Sequence, residues 1–113
     1  MELTDVISRL SALAQDSRLA VFRLLVQAGP PGLAAGEIAR ALAIAPNTLS
    51  AQLGLLAHAG LITSRRDGRS IIYAADYDGV RDLLVYLVED CCHGRPEVCA
   101  PLADAVTRIA CCA

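Results

Sequence analysis

Residues 36–73 read GEIARALAIAPNTLSAQLGLLAHAGLITSRRDGRSIIY, and the order of signals within them decides the fold. Ile38, Ala39 and Leu42 give the stretch from about Gly36 to Leu42 the apolar face of a short core helix. The tight connection Ala43-Ile44-Ala45 leads to Pro46, which is comfortable at the first position of a helix. A second helix is predicted from Pro46 to about Ala59, with Gly60 as its stop. Two strand-like runs follow, Leu61–Arg65 and Arg69–Ala74, around Asp67-Gly68, a strong short hairpin signal. Two short helices joined by a tight turn, then a hairpin with an Arg-rich tip, predict a winged helix-turn-helix.

Upstream, residues 4–14 predict a first helix with Thr4 as N-cap and Val6, Leu10, Leu13 and Ala14 on one side. Asp16 is the expected cap of a second helix, Ser17 to about Ala28, ended by Gly29-Pro30-Pro31-Gly32. Downstream, Asp76 or Asp78 can cap a fifth helix to about Asp90, with Val80, Leu83, Leu84, Leu87 and Val88 at helical spacing. A last short helix is expected at about Leu102 to Ala110. The class is mainly α with a β-hairpin wing. The 113 residues suit one domain: recognition helix about 46–59, wing about 61–74, C-terminal helix and cysteine-rich tail about 77–113.

Charge is unevenly spread. The net charge is −2, yet residues 36–73 hold four Arg against two acids, while the rest holds six Arg against ten. A locally positive segment between acidic flanks permits phosphate contact without general stickiness to polyanions. Aromatic residues make up 4% and are scattered (Phe22, Tyr73, Tyr77, Tyr86), so no base-stacking platform is predicted. No stretch is apolar enough to span a membrane and no leader pattern is present, so a cytoplasmic location is expected.

At about 100° per residue, Leu49, Leu53 and Leu56 form the buried stripe of the fourth helix. Asn47, Ala51, Gly54 and His58 lie opposite, flanked by Thr48 and Ser50, with Gln52 on the shoulder. Small residues admit the duplex to the backbone, and Asn47, Thr48, Ser50 and Gln52 can bond base edges or phosphates. His58 is expected as a phosphate contact or simply exposed. Arg65, Arg66 and Arg69 at the hairpin tip can reach phosphates or enter a minor groove.

Residues 36–73, the hairpin motif RRDGRSIIYA and the preceding LSALAQDSRLAVFRLL (residues 10–25) resemble the ArsR/SmtB family of bacterial metal-responsive repressors over roughly residues 8–92. That resemblance implies a homodimer joined through the first and last long helices, and binding to double-stranded operator DNA that a metal ion relieves. The chain departs from the family pattern in places. Ala45 stands where a Ser cap is frequent, and Gln52 where His is frequent. The Cys-x-Cys motif of the helix before the recognition helix is replaced by LAAGEIA.

Five cysteines, at 91, 92, 99, 111 and 112, fall in the last 23 positions, and the first 90 residues have none. Packing alone predicts scattering through the core. Cys91 and Cys92 end the fifth helix, and HGRPEV contains two chain breakers that can return Cys99 to them. Three thiolates make a soft-ion site suited to the pyramidal coordination of As(III) or Sb(III). The arrangement resembles a subgroup of arsenic-responsive repressors. Cys111 and Cys112 can supplement the site, bind a second ion or form an inert tail. His93 can complete a zinc or cadmium site. The predicted function is a repressor released from its operator by arsenite or antimonite. The alternatives are a cadmium-, lead- or zinc-responsive repressor and a thiol-redox switch. An enzyme is not expected: no phosphate-binding loop lies near a cysteine and no acid–base constellation is present. No catalytic cofactor is implied.

Overall fold

A computed structural model describes residues 2–88. The expected end of the fifth helix at Asp90, the last short helix, all five cysteines and His93 lie outside the described residues.

The chain folds as α1 (Leu3–Leu13), α2 (Asp16–Ala28), β1 (Leu33–Ala34), α3 (Ala35–Leu42), α4 (Pro46–His58), β2 (Ile62–Asp67), β3 (Ser70–Ala75) and α5 (Tyr77–Val88). The predicted architecture holds, with local corrections. Thr4 lies inside α1, whose cap position is Glu2 and carries no side-chain bond. The cap of α2 is Gln15 rather than Asp16. Its backbone is extended, and its amide oxygen accepts from the Arg18 N–H at 2.8 Å, a reach that a longer side chain provides one residue earlier. Asp76 does cap α5, its carboxylate accepting from the Gly79 N–H at 3.0 Å. In α3, Glu37 Oε1 accepts from the Ala34 N–H at 3.1 Å, the reciprocal half of a capping box.

Helix α2 is the centre of packing, touching α1, α3, α4 and β3. Val21 and Leu25 of α2, Ile38 of α3, Leu49, Leu53 and Leu56 of α4, and Leu61 form the fully buried core. The predicted stripe of α4 is therefore the buried one. Ala43 takes the left-handed conformation (φ 54, ψ 44) that turns α3 into α4, a cost of roughly 1 kcal/mol for a non-glycine residue. The Ile44 N–H donating to the Ala39 carbonyl helps hold this turn.

The sheet has the order β1-β3-β2, all antiparallel, so β2 is an edge strand. Strand β1 was not predicted: two residues are too short to carry a periodicity, and only pairing with Ile72 and Tyr73 defines them. Gly32 makes that pairing possible. Its φ is +72, and a Cβ there would sit 2.3 Å from the Tyr73 carbonyl oxygen. Gly32→Ala is expected to cost on the order of 3 kcal/mol, combining left-handed strain with displacement of backbone. The check is a urea denaturation midpoint. An unchanged midpoint would mean that the loop before β1 relaxes freely.

The start of α5 is locked to the corner between α4 and β2. The Asp76 N–H donates to the Leu61 carbonyl at 2.9 Å, and a Cβ on Gly79 would meet the Gly60 carbonyl oxygen at 2.3 Å. Arg9 of α1 donates to the Gly79 carbonyl at 2.6 Å, and its guanidinium also lies against Gly60. Of the apolar face predicted for α5, only Leu83 is buried, while Leu84 and Leu87 are exposed along with Val85. On α1, Val6 is buried and Leu3, Ile7 and Leu10 are exposed. Among the described residues, no helix is long and apolar enough to cross a membrane.

Candidate nucleic-acid interface

The helix-turn-helix is α3, the Ala43–Ala45 turn and α4. Pro46 opens α4 without an N–H to leave unpaired, and the Leu49 N–H closes the first turn on the Ala45 carbonyl at 2.9 Å. Asn47, Thr48, Ser50, Ala51, Gly54 and His58 are all exposed on this helix, so one surface brings together most of the predicted base-reading residues. Gln52 is placed differently. It is 7% exposed, and its Oε1 is buried without a hydrogen-bond partner. In this conformation Gln52 packs inward, away from the exposed surface that Asn47, Thr48 and Ser50 share. Leu55, by contrast, was not singled out from the sequence and is 52% exposed on α4. Its apolar surface suits contact with a thymine methyl group.

Gly54 faces open space: a Cβ there meets nothing within 4 Å. Intramolecular packing therefore gives no reason for a glycine in mid-helix, where it costs about 1 kcal/mol relative to Ala. Gly54→Ala is expected to raise the thermal midpoint by about 4 °C. It should also weaken DNA binding by roughly tenfold if the α4 backbone approaches the duplex at this turn, a loss of about 1.4 kcal/mol. Calorimetry and a DNA titration on the same variant check both effects. A stabler protein with unaltered affinity would place the duplex elsewhere on α4.

The wing is the β2–β3 hairpin. Asp67 pairs with Ser70, so the two-residue turn is Gly68-Arg69, one residue later than the sequence signal suggested. Gly68 takes φ +63, and Arg69 is not in the positive-φ region. This sign pattern suits a hairpin turn with glycine at its first central position. Arg69 thus sits in the turn itself. Arg66 pairs across the hairpin with Ile71, and Arg65 with Ile72, so strand alternation puts Arg65 and Arg66 on opposite faces. Arg65 donates to the Pro31 carbonyl at 2.6 Å and to the Pro30 carbonyl at 3.5 Å. Arg66 and Arg69 are exposed and have no hydrogen-bond or ion-pair partner among the described residues. Among these residues there is also no group of three His, Cys, Asp or Glu side chains able to hold a metal ion.

This is the surface of a DNA-binding transcriptional regulator. Residues 13–65 match the model of a helix-turn-helix domain family. Over 78 residues the chain is 31% identical to the HTH-type transcriptional regulator YgaV of Escherichia coli (strain K12), covering 69% of this chain and 77% of the relative. A solution structure of the homodimeric winged helix-turn-helix DNA-binding domain Mb0332 from Mycobacterium bovis, described as a possible ArsR-family transcriptional regulator, superposes with a TM-score of 0.64. It is 34% identical and covers 78% of this chain and 81% of its own. The crystal structure of a possible transcriptional regulator for arsenical resistance matches with a TM-score of 0.64 at 26% identity, over 86% of this chain and 95% of that one. The chain belongs to the winged helix-turn-helix transcriptional regulators of ArsR-like type, and its relatives are DNA-binding regulators, not enzymes.

Proposed function

We propose that the protein is a homodimeric repressor that leaves its operator when a trivalent metalloid, arsenite or antimonite, is captured by Cys91, Cys92 and Cys99. The observation that carries the DNA-binding part is the exposed polar surface of α4 beside a wing whose Arg66 and Arg69 are unpaired among the described residues. Each protomer lays α4 in a major groove, with Asn47, Thr48 and Ser50 toward base edges and phosphates, and sets its wing on the flanking backbone. Dimerisation is supported by the uncovered apolar residues of α1 and α5 and by the homodimeric description of the Mycobacterium bovis relative.

The metalloid reading rests on the donor set. Three thiols fall within the nine positions 91–99, after α5, and soft ions prefer thiolates. It is also supported by likeness to a protein described as a possible transcriptional regulator for arsenical resistance. Cross-linking Cys91 and Cys92 to Cys99 ties down the end of α5. The other end of α5 is locked to the α4–β2 corner through Gly60, Gly79 and Arg9, so a shift of α5 reaches α4 without an intervening flexible joint. A hundredfold loss of operator affinity requires only about 2.7 kcal/mol of coupling. By reciprocity, operator DNA weakens metalloid binding by the same factor.

The test is fluorescence anisotropy of the reduced protein on DNA from its own promoter region, titrated separately with arsenite, antimonite, cadmium and zinc. Release by arsenite or antimonite and not by zinc supports the proposal. Retention with all four ions, but release by peroxide, moves the cysteines to redox switching. Absence of binding to any DNA overturns the repressor reading.

A further inference from the structure

We infer that Arg65 is a positioning residue of the wing, setting the angle at which Arg66 and Arg69 meet the duplex, and is not itself a phosphate contact. The inference rests on the DNA-binding reading above. Strand β2 is an edge strand, paired on one side only, and its far end carries the hairpin tip. The ladder joins the hairpin to β1 only at Ile72 and Tyr73, so residues 66–71, which carry the tip, pair only with each other. Arg65 supplies a fixed point. From β2 its guanidinium reaches the loop before β1, which lies beyond the central strand β3, and there it bonds two successive carbonyls.

The receiving loop is built for this. Pro30 and Pro31 have no N–H, so each of these residues offers only a carbonyl acceptor from its backbone. Gly29 and Gly32 flank them at positive φ, and the Gly32 N–H donates to the Gly29 carbonyl at 3.0 Å, closing the turn. Gly32 is pressed onto the Tyr73 carbonyl, and Leu33 pairs with Tyr73, so the loop is fixed to the body of the sheet. A planar guanidinium can fork across two acceptors, which a point-charged ammonium does less well. Arg66 and Arg69 have no such engagement. The three arginines of the tip therefore divide into one strut and two contacts.

The experiment is operator binding by wild type, Arg65→Met, the Arg66→Met/Arg69→Met pair, and the triple variant, each over a range of salt concentrations. The proposal expects Arg65→Met to weaken binding by about tenfold in the wild-type background. In the background lacking Arg66 and Arg69 it should change affinity by less than about twofold and leave the salt dependence unaltered, because its effect passes through those residues. A direct phosphate contact would instead steepen the loss in both backgrounds and lower the log–log salt slope by about 0.9 each time. A merely structural arginine would lower the unfolding midpoint and move affinity in neither. Amide exchange of residues 66–71 in the DNA-free protein gives a second readout. Faster exchange in Arg65→Met is expected, and unchanged exchange overturns the strut whether or not DNA is bound. Failure of the wild-type protein to bind any operator would strike the repressor reading itself and is visible in the first arm.

Discussion

Ile7→Glu and Leu84→Glu together are expected to leave the fold intact, to convert the protein from two chains to one in solution, and to weaken operator binding by a hundredfold or more. Ile7 is 53% exposed and Leu84 45% exposed in the isolated chain, so a carboxylate at either position stays hydrated there and costs the fold little. In a dimer formed through α1 and α5 the same positions lose their water. An unpaired buried carboxylate then costs several kcal/mol per site, which is enough to abolish a typical association. The consequence for DNA follows from linkage: two headpieces bound together gain roughly 10²–10⁴ in affinity over one. Sedimentation equilibrium and an operator titration on the double variant check both halves. A dimer that survives both carboxylates would place the interface on another face, and an unchanged operator affinity would make one headpiece sufficient.

The sequence exposed the large features because each depends on a pattern local to its own segment. The Leu49, Leu53 and Leu56 stripe, the Pro46 start and the Arg-rich hairpin are all readable within a few residues; the structure places the stripe and the start as expected and the hairpin turn one residue later. What escaped depends on partners distant in the chain. Strand β1 exists only because Leu33 and Ala34 meet Tyr73 and Ile72. Gln52 sits on the edge of the buried arc, where helical periodicity gives an angle but not the depth of the neighbouring helices, and it is buried. Arg65 differs from Arg66 by strand alternation, which the sequence contains, but its acceptors lie 34 and 35 residues earlier, in Pro31 and Pro30. The apolar faces of α1 and α5 were legible as periodicity. That about half of each stays exposed among the described residues was not, because a one-dimensional pattern does not say how many surfaces share it.

Substituting Cys91, Cys92 and Cys99 by Ser is expected to leave operator affinity intact while abolishing release by arsenite. The wild-type protein should lose about a hundredfold in affinity under the same treatment, equivalent to about 2.7 kcal/mol. Affinity in the absence of ion should survive because the DNA-facing residues, from Asn47 on α4 to Arg69 in the wing, all precede the cysteines by more than twenty positions. Response should vanish because hydroxyls are neither soft nor readily ionised, so the trivalent ion loses all three preferred ligands at once. Single substitutions separate a three-thiolate site from a two-cysteine redox pair. In a three-coordinate site each of Cys91, Cys92 and Cys99 matters. In a disulfide switch, one of the three can be lost without consequence. Cys111→Ser/Cys112→Ser provides the internal comparison, since a full response in that variant assigns the site to the three upstream thiols. Anisotropy titrations with arsenite and with peroxide, run on the same set of variants, read all of these outcomes. Normal release of the triple variant by arsenite would remove the cysteines from the mechanism and leave the winged-helix repressor in search of another inducer.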